Sequence, residues 1–281
     1  MDTTVFIAVL IAAACHAGWN AVIKLGLEPF TATALIAIAA GLVALPLAPF
    51  VGLPAPASWP WLFASVLLHV GYYIGLTEAY RAGDMGQVYP IARGTAPLLT
   101  ATVSTLVLGE ALGLTAQIGI AVLAAGVFLI SLRGGHDLAR LNGRAVAFAL
   151  FTSLTICGYS LVDGIGARLS GNPHGYAVGL FVGDAIAIAL LALLRRGPAV
   201  ARDMVLFWKP GFAGGALSLA SYWIAIWAMT LAPIAIVAAL RETSVLFGAV
   251  IAVVVLREPL RANRIVAAVM IVSGLMLIRL S

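Results

Sequence analysis

Two arginines lie inside long apolar stretches of the chain, where a charged group is costly. Arg93 and Arg241 are 148 positions apart. A charge near the middle of a bilayer costs about 2.5–3.5 kcal/mol on insertion scales, so it usually faces a cavity or a partner. We predict that one or both arginines bind a substrate carboxylate, or close a gate by pairing with an acid. The alternative is a structural role in which the side chains extend toward the interface.

Three acids lie in or at the ends of similar stretches. Glu242 and Asp184 are embedded, and Glu78 lies near one end of its stretch. We expect these carboxylates to hold a substrate ammonium, to carry a coupling proton or to neutralise the arginines, with Glu78 as one candidate partner for Arg93. For Asp184 we favour an interhelical hydrogen bond, because it follows small residues that promote close packing. Those residues are Gly175, Gly179 and Gly183.

Aromatic and small polar side chains also cluster within apolar stretches. His16 and Asn20 are four positions apart and share one helix face. Aromatic groups with polar edges suit a cavity for an amphipathic solute, and their faces attract an ammonium. The alternatives are an interfacial aromatic belt and, for the histidines, a hydrogen bond between helices. The predicted substrate-binding set, beside the two arginines and Glu242, is His16, Trp19, Asn20, His69, Tyr72, Tyr89, Tyr159, Ser160, Tyr222 and Trp223.

Two prolines flank the first arginine. Pro90 and Pro97, with Gly94 between them, interrupt the helix that carries Arg93. A proline removes a backbone donor, so a kink is expected there, either as a moving hinge or as a static bend. The prolines are therefore grouped with Glu78 and Asp184 as gating or charge-pairing residues.

The composition places these residues in a membrane. Of 281 residues 63% are hydrophobic and only 10% are charged, whereas soluble domains carry about 25% charged residues. The apolar runs are about 20 residues long and do not alternate, which indicates spanning helices rather than strands. The net charge of +5 comes from basic residues between these runs, so it orients a membrane protein and does not indicate nucleic acid binding. Cys15 and Cys157 lack the spacing of a metal or redox site.

Ten spans of about 20 residues follow from the apolar runs. The longest link, Arg133 to Arg144, divides them into a first repeat over 1–132, a linker over 133–142 and a second repeat over 143–281. The predicted spans are 4–23, 30–50, 59–80, 86–108, 114–132, 144–163, 175–194, 207–229, 233–256 and 262–280.

The two halves are copies of one another. At the offset of 148, twelve of 44 positions from Tyr89 to Leu132 are identical to their counterparts, including Arg93 and Glu110. Because each copy has five spans, an odd number, the second enters the bilayer upside down. The predicted fold is thus all-α and integral to the membrane, with ten helices as two inverted five-helix repeats. Inverted repeats are a common basis of alternating access.

Several of these motifs resemble the EamA-type branch of the drug/metabolite transporter superfamily over essentially the whole chain. They are Trp19-Asn20 with Lys24, the endings Leu108-Gly-Glu110 and Leu256-Arg-Glu258, and the glycines Gly119, Gly126 and Gly274. The resemblance implies a ten-helix basket around a central substrate cavity. Many bacterial members export amino acids or other metabolites, and the resemblance includes the group of aromatic amino-acid exporters. Some relatives use basic residues on the fourth and ninth helices. Glu110 and Glu258 are expected to cap or pair locally.

The resulting hypothesis is a bacterial inner-membrane exporter of small amphipathic metabolites, amino acids first, with aromatic or large neutral ones plausible. The alternatives are an exchanger of anionic phosphorylated or sugar-linked solutes, a passive channel and an integral-membrane enzyme. No HExxH, GxSxG or P-loop motif supports the enzyme. The expected partners are a small-molecule substrate and the lipid bilayer, with no nucleic acid, cofactor or metal. One chain holds both copies, so a monomer is expected to function alone.

The distribution of basic residues predicts the orientation. Twelve Lys and Arg residues lie in alternate links that share one side, and only Arg168 and Arg279 lie on the other. The positive-inside rule places the twelve in the cytoplasm and both termini in the periplasm. A C-terminal alkaline phosphatase fusion is therefore expected to be active, and a C-terminal fluorescent protein dark. A fluorescent fusion with an inactive phosphatase fusion would overturn this orientation.

Overall fold

Helices make up almost all of the described chain. The computed structural model describes residues 1–23, 27–83, 85–131, 142–254, 257 and 262–281, and no strand occurs in those ranges. In the first half the α-helices are α1 Thr3–Ile23, α2 Pro29–Ala44, α3 Ala48–Val51, α4 Trp59–Ala82, α5 Met85–Leu108 and α6 Leu114–Ser131. In the second half they are α7 Gly143–Leu169, α8 Pro173–Arg196, α9 Ala199–Leu206, α10 Trp208–Met229, α11 Ile234–Arg241, α12 Ser244–Val254 and α13 Ala262–Leu280.

Local sequence signals set the ends of these helices. Asn172 accepts a hydrogen bond from the Gly175 N–H at the start of α8, and Pro173 occupies the first helical position. Both are favoured there, because the first amide groups of a helix lack internal partners. Gly197 ends the same helix with φ +68°, a conformation that costs glycine little.

Within the described ranges, nine helical segments are long and apolar enough to cross a membrane, and a shorter apolar helix covers Leu114–Leu129. Large apolar side chains cover the outer surface: Leu106 is 78% exposed and Leu194 is 84% exposed. Water would penalise such a surface, whereas lipid is its natural solvent. The chain is a multi-pass membrane protein.

The ten predicted spans correspond to helices, with three departures in detail besides the division of the ninth span. The sixth span was expected to end at 163, but α7 continues to Leu169. A short helix, α9, precedes the eighth span. The second span ends as α2 at Ala44 and continues as a short 3-10 turn and α3.

The interruption near the arginines lies in the second repeat rather than the first. The helix α5 is unbroken from Met85 to Leu108 and includes Pro97. The ninth span, predicted as one helix over 233–256, is divided after Arg241 into α11 and α12. A proline removes only one hydrogen bond, and α5 is supported on both sides by α6 and α7. The fourth helix is therefore continuous through the segment in which a kink was predicted, and the side chain of Pro90 lies outside the described residues.

Helix contacts obey the inversion. The helices α1 and α10 pack together, and so do their counterparts α7 and α4. The helix α5 packs on α7, and in the same way its counterpart, divided into α11 and α12, packs on α1. The packing of α10 on α2 is likewise equivalent to the packing of α4 on α8. Two pairs, α2 with α8 and α6 with α13, consist of a helix and its own counterpart. The pseudo-two-fold axis predicted from the duplication therefore passes through the molecule.

Glycines hold the self-matched pair α6 and α13 together. A Cβ on Gly274 would lie 2.6 Å from the Gly119 carbonyl oxygen and 2.7 Å from the Leu123 nitrogen. A Cβ on Gly126 would lie 3.0 Å from the Ala267 carbonyl oxygen and 3.0 Å from the Ile271 nitrogen. Because 119, 123 and 126 correspond to 267, 271 and 274 at the repeat offset, the two contacts are the same contact seen twice. Close backbone approach of this kind drives helix association in lipid.

Substitution of Gly274 by alanine is expected to lower the free energy of unfolding by about 1–3 kcal/mol, because the added methyl group overpacks a backbone contact. Gly248→Ala is the matched control. It also lies in an apolar helix, but nothing lies within 4 Å of its would-be Cβ. SDS titration of the purified variants measures both. Equal stability of the two variants would show that the glycine contact contributes little.

Candidate functional site

A buried ion pair joins the two repeats near the centre of the bundle. Nε of Arg93, on α5, lies 2.9 Å from Oε2 of Glu242, in the break between α11 and α12. Nη2 of Arg93 donates to the Ser244 hydroxyl at 3.4 Å. Arg93 is 3% exposed and Glu242 is 4% exposed. Arg93 is thus neutralised across the axis by the opposite repeat.

Arg241 has a different environment although it is the counterpart of Arg93. Its guanidinium carbon lies 4.5 Å from the centre of the Tyr222 ring, a cation–π contact. The side chain is buried, and Nε makes no hydrogen bond. Within the described part of the chain, no carboxylate lies within ion-pair distance of Arg241. A buried cation with an unused donor is suited to binding an anion.

The different surroundings of the two arginines follow from the residue that comes after each of them. Glu242 corresponds to Gly94 at the repeat offset, so only the second arginine is followed by an acid. A Cβ on Gly94 would lie 2.8 Å from the Phe128 ring, which leaves no room for a glutamate in the first repeat. The single acid pairs with the arginine of the other repeat, and the cluster keeps one guanidinium without an ion pair.

Aromatic rings surround this guanidinium. The imidazole of His69 stacks on Tyr159 at 4.3 Å and 16°. Tyr222 meets both rings edge to face, at 5.7 Å in each case. Tyr72 meets Tyr159 edge to face at 6.0 Å. The rings come from α4, α7 and α10, and their edge-to-face contacts are the favourable geometry for aromatic groups.

Asp163 is the main residue that the sequence analysis missed. It is fully buried on α7, and its two oxygens accept hydrogen bonds from Tyr222 at 2.5 Å and Tyr176 at 3.0 Å. The sequence analysis placed it at the end of the sixth span, where an acid would face water. The available signal was its position four residues after Tyr159, on the same helix face.

His69 and Asp184 form a second polar contact, between α4 and α8. Nδ1 of His69 lies 3.6 Å from Oδ2 of Asp184, 3.0 Å from the Ser65 carbonyl oxygen and 3.2 Å from the Ser65 hydroxyl. The predicted close packing is confirmed, since Cβ atoms on Gly179 and Gly183 would meet α4 side chains at 2.9 Å. An interhelical hydrogen bond was predicted for Asp184, but the 3.6 Å separation from His69 is longer than a hydrogen bond, and the other oxygen of Asp184 is buried with no hydrogen-bond partner.

The residues predicted on the first span are connected by hydrogen bonds. Nε1 of Trp19 donates to Nδ1 of His16 at 3.3 Å, and the Asn20 amide donates to the His16 carbonyl oxygen at 2.9 Å. Both rings are buried, and His16 lies near enough to Arg93 and Arg241 to interact electrostatically. The structure therefore brings His16 to the α1 side of the arginine cluster.

Other predicted residues lie elsewhere or at the margin. Nε1 of Trp223 donates to Nδ1 of His174 at 2.8 Å, on an exposed part of the bundle. Glu78, one candidate partner for Arg93, instead contacts Arg81 at 3.1 Å, Arg195 at 3.8 Å and Arg144 at 3.9 Å. Ser160 is buried with no hydrogen-bond partner for its hydroxyl, and so is Ser221. The side chain of Tyr89 lies outside the described residues, and so does Glu258.

Glu110 ties the repeats together on the side of the termini. Its carboxylate accepts a hydrogen bond from the Ile234 N–H at 2.9 Å, at the start of α11, and lies 2.8 Å from Nη2 of Arg168. A carboxylate is favoured at a helix N-terminus. The expectation that Glu110 caps or pairs locally is confirmed.

The arrangement is suited to binding a polar ligand. Beyond the hydrogen-bonded groups, Arg241 Nε, Asp184 Oδ1 and the hydroxyls of Ser160 and Ser221 are buried with unused hydrogen-bonding capacity. Buried polar atoms are normally satisfied, so the unused ones of Arg241 and Asp184, which lie beside the Tyr222 and His69 rings, indicate a place for a ligand. No group of three or more metal-binding side chains occurs in the described ranges. A shallow apolar crevice between α2 and α10 shares no residue with this cluster.

Comparisons with known proteins agree with the fold. Two stretches of the chain, residues 3–132 and 144–280, match the EamA-like transporter family. None of the curated proteins matches the chain. A solved crystal structure, described only as that of a protein, is similar over 99% of this chain and 96% of its own, with a TM-score of 0.79 and 19% identity. At that identity the likeness concerns the fold alone.

Removal of one partner of the central ion pair is expected to destabilise the protein strongly. Glu242→Gln leaves Arg93 buried without its carboxylate, which costs about 3–5 kcal/mol. The double variant Arg93→Gln with Glu242→Gln is expected to recover most of that loss, because both charges are gone. Arg81→Gln is the control, since exposed pairs contribute about 0–1 kcal/mol. SDS-titration free energies provide the comparison, and additive losses in the double variant would contradict the pairing.

Proposed function

The chain belongs to the EamA-like transporter family, and on that premise we propose that it exports small amphipathic metabolites that carry a carboxylate. Amino acids are the first candidates, with aromatic or large neutral ones favoured by the cluster. The mechanism is alternating access, in which the two inverted repeats expose one central site to each side in turn. Export is proposed from the resemblance to bacterial members that export metabolites.

The observation that carries this proposal is the unequal state of the two arginines. Arg93 is paired with Glu242, whereas Arg241 is buried with an unused Nε and lies over the Tyr222 ring. A guanidinium presents a planar fork that matches a carboxylate in a bidentate manner. A substrate carboxylate at Arg241 would accept a hydrogen bond from its Nε and would give this guanidinium of the cluster an ion-pair partner. Arg93 is assigned to holding the repeats together.

The aromatic groups account for the rest of the substrate. His69, Tyr72, Tyr159 and Tyr222 form a cluster of apolar faces with polar edges. Such surfaces accept an apolar side chain and orient it through a few polar contacts. Trp19 and His16 extend the cluster on the side of α1. This combination favours an amphipathic solute over a highly charged one.

The chemistry of the cluster argues against a phosphorylated substrate. Three carboxylates, those of Asp163, Asp184 and Glu242, are buried there beside two guanidinium groups. A phosphate carries more negative charge than a carboxylate and would be repelled by the acids. The absence of a catalytic sequence motif is consistent with a carrier rather than an enzyme.

The proposed location is the bacterial inner membrane with both termini in the periplasm. The contact of Glu110 with Arg168 and α11 then lies on the periplasmic side, and the contacts of Glu78 with Arg144 and Arg195 lie on the cytoplasmic side. Both join the repeats, so they are places where an opening movement would separate side chains. Since one chain contains both repeats, the proposed unit is a monomer.

Counterflow in proteoliposomes tests the proposed function. Vesicles loaded with one unlabelled amino acid from a panel are expected to accumulate the labelled form transiently, in a saturable and cross-competed manner. A channel would show neither saturation nor counterflow. Folded protein that accumulates no member of the panel would refute the assignment of amino acids.

Arg241→Gln is expected to lower the counterflow rate at least about tenfold, because a charged hydrogen bond of about 1.5–3 kcal/mol is lost. Arg241→Lys keeps the charge without the planar fork and is expected to be intermediate. Trp19→Ala is expected to reduce transport without preventing insertion. Arg81→Gln, an exposed arginine, serves as the control. Wild-type transport by Arg241→Gln would contradict the site.

A further inference from the structure

Tyr222 connects a cation and an anion. The Arg241 guanidinium lies 4.5 Å from the centre of its ring, and its hydroxyl donates to Asp163 at 2.5 Å. One side chain therefore spaces a buried positive group from a buried negative group. The three residues come from three different helices, α11, α10 and α7. Arg241 and Asp163 are also near enough to interact electrostatically through the interior.

We infer that Asp163 binds the ammonium group of the substrate and that the transported solutes are zwitterions with neighbouring ammonium and carboxylate groups, as in α-amino acids. The inference rests on the proposed function, in which Arg241 receives the carboxylate. It adds the opposite charge and thereby excludes simple organic acids and simple amines. It assigns Asp163 a role as a specificity-determining residue.

The geometry of Asp163 leaves room for a further donor. The tyrosine hydroxyls of Tyr176 and Tyr222 each donate one hydrogen bond, one to each oxygen. The Ser65 side chain also hydrogen-bonds to Asp163. A carboxylate offers about four acceptor positions, so about one is left for an N–H group of a ligand. The adjacent turn of α7 adds the buried Ser160 hydroxyl, which has no hydrogen-bond partner. An ammonium has three N–H donors, so it could bind both acceptors.

The aromatic rings support the same location for a cation. Tyr159 lies one turn before Asp163 on α7, and its ring meets that of Tyr222 at 5.7 Å. The faces of such rings attract a desolvated ammonium. The zwitterion would then lie along Tyr222, with its carboxylate toward Arg241 and its ammonium toward Asp163.

Charge balance favours a zwitterion over an ion. With Arg93 paired to Glu242 and Asp184 in contact with His69, the guanidinium of Arg241 and the carboxylate of Asp163 remain and balance each other. A zwitterion inserted between them keeps that balance, whereas an organic anion or an amine would leave an uncompensated charge in a dry site. Such a charge is costly away from water.

The test compares L-phenylalanine with phenylpropionate, which lacks the ammonium, and phenethylamine, which lacks the carboxylate. Each is used as a competitor of amino-acid counterflow in the intact protein. Both analogues are expected to compete at least about tenfold more weakly than phenylalanine, since each loses one charged hydrogen-bonding group. Competition by phenylpropionate equal to that of phenylalanine would overturn the inference and leave the proposed function intact. Absence of any amino-acid counterflow would instead refute the proposed function.

Asp163→Asn gives the residue-level test. The variant keeps the shape and an acceptor for the tyrosines but removes the charge, so phenylalanine is expected to bind at least about tenfold more weakly while phenylpropionate is unaffected or improved. Equal losses for both compounds would show that Asp163 only holds the tyrosines in place. Tyr176→Phe, which removes one hydrogen bond from the same carboxylate, is the matched control and is expected to keep the wild-type selectivity.

Two further readouts separate the alternatives. Phenylalanine is expected to raise the melting temperature of wild-type protein in detergent and to leave that of Asp163→Asn unchanged, independently of transport. Asp184→Asn tests the other buried acid, whose Oδ1 lacks a partner. Loss of selectivity in Asp184→Asn but not in Asp163→Asn would move the ammonium to the His69–Asp184 contact and overturn the assignment of Asp163.

Discussion

Burial of charge in a lipid environment is the constraint on which the rest of the structure depends. Among the described residues, two guanidinium groups and three carboxylates are buried within the bundle, where the free-energy cost of a single unpaired charge is high. The break between α11 and α12 places Glu242 against Arg93. Tyrosine hydroxyls hold Asp163, and an aromatic face covers Arg241. The packing of helices around the centre brings each of these buried charges to the groups that stabilise it.

The inversion explains why the buried charged residues lie at the centre of the bundle. Helices that carry equivalent residues approach one another across the pseudo-two-fold axis, so the two arginines of the duplicated helices both lie near Glu242 at the centre. The self-matched glycine contact of α6 and α13 shows the same geometry at a site with no chemistry. Duplication therefore supplies both the symmetric framework and the doubled set of functional groups, and later substitutions distinguish them.

The fold could be predicted from the sequence almost completely, because lipid forces every long apolar run into a helix and odd-numbered duplication forces inversion. The membership of the site was predictable only in part. Arg93, Arg241, Glu242 and the aromatic residues were recognised because charges and polar aromatics are rare in spans. Pairing was not predictable: Glu78 lies with surface arginines, and Arg93 meets an acid 149 positions away. Asp163 was missed because its helix extends six residues beyond the expected end, and no periodicity shows where an apolar helix stops.

The one-residue difference between Gly94 and Glu242 has a consequence for energetics. A protein whose inverted halves were identical would have inward-open and outward-open forms related by rotation, and therefore of equal free energy. Any preference for one form must arise from positions that differ between the halves. An acid in only one copy, with a helix divided in only one copy, is such a difference. In the alternating-access mechanism proposed above, substitutions at positions that differ between the halves are expected to shift the balance between the two forms.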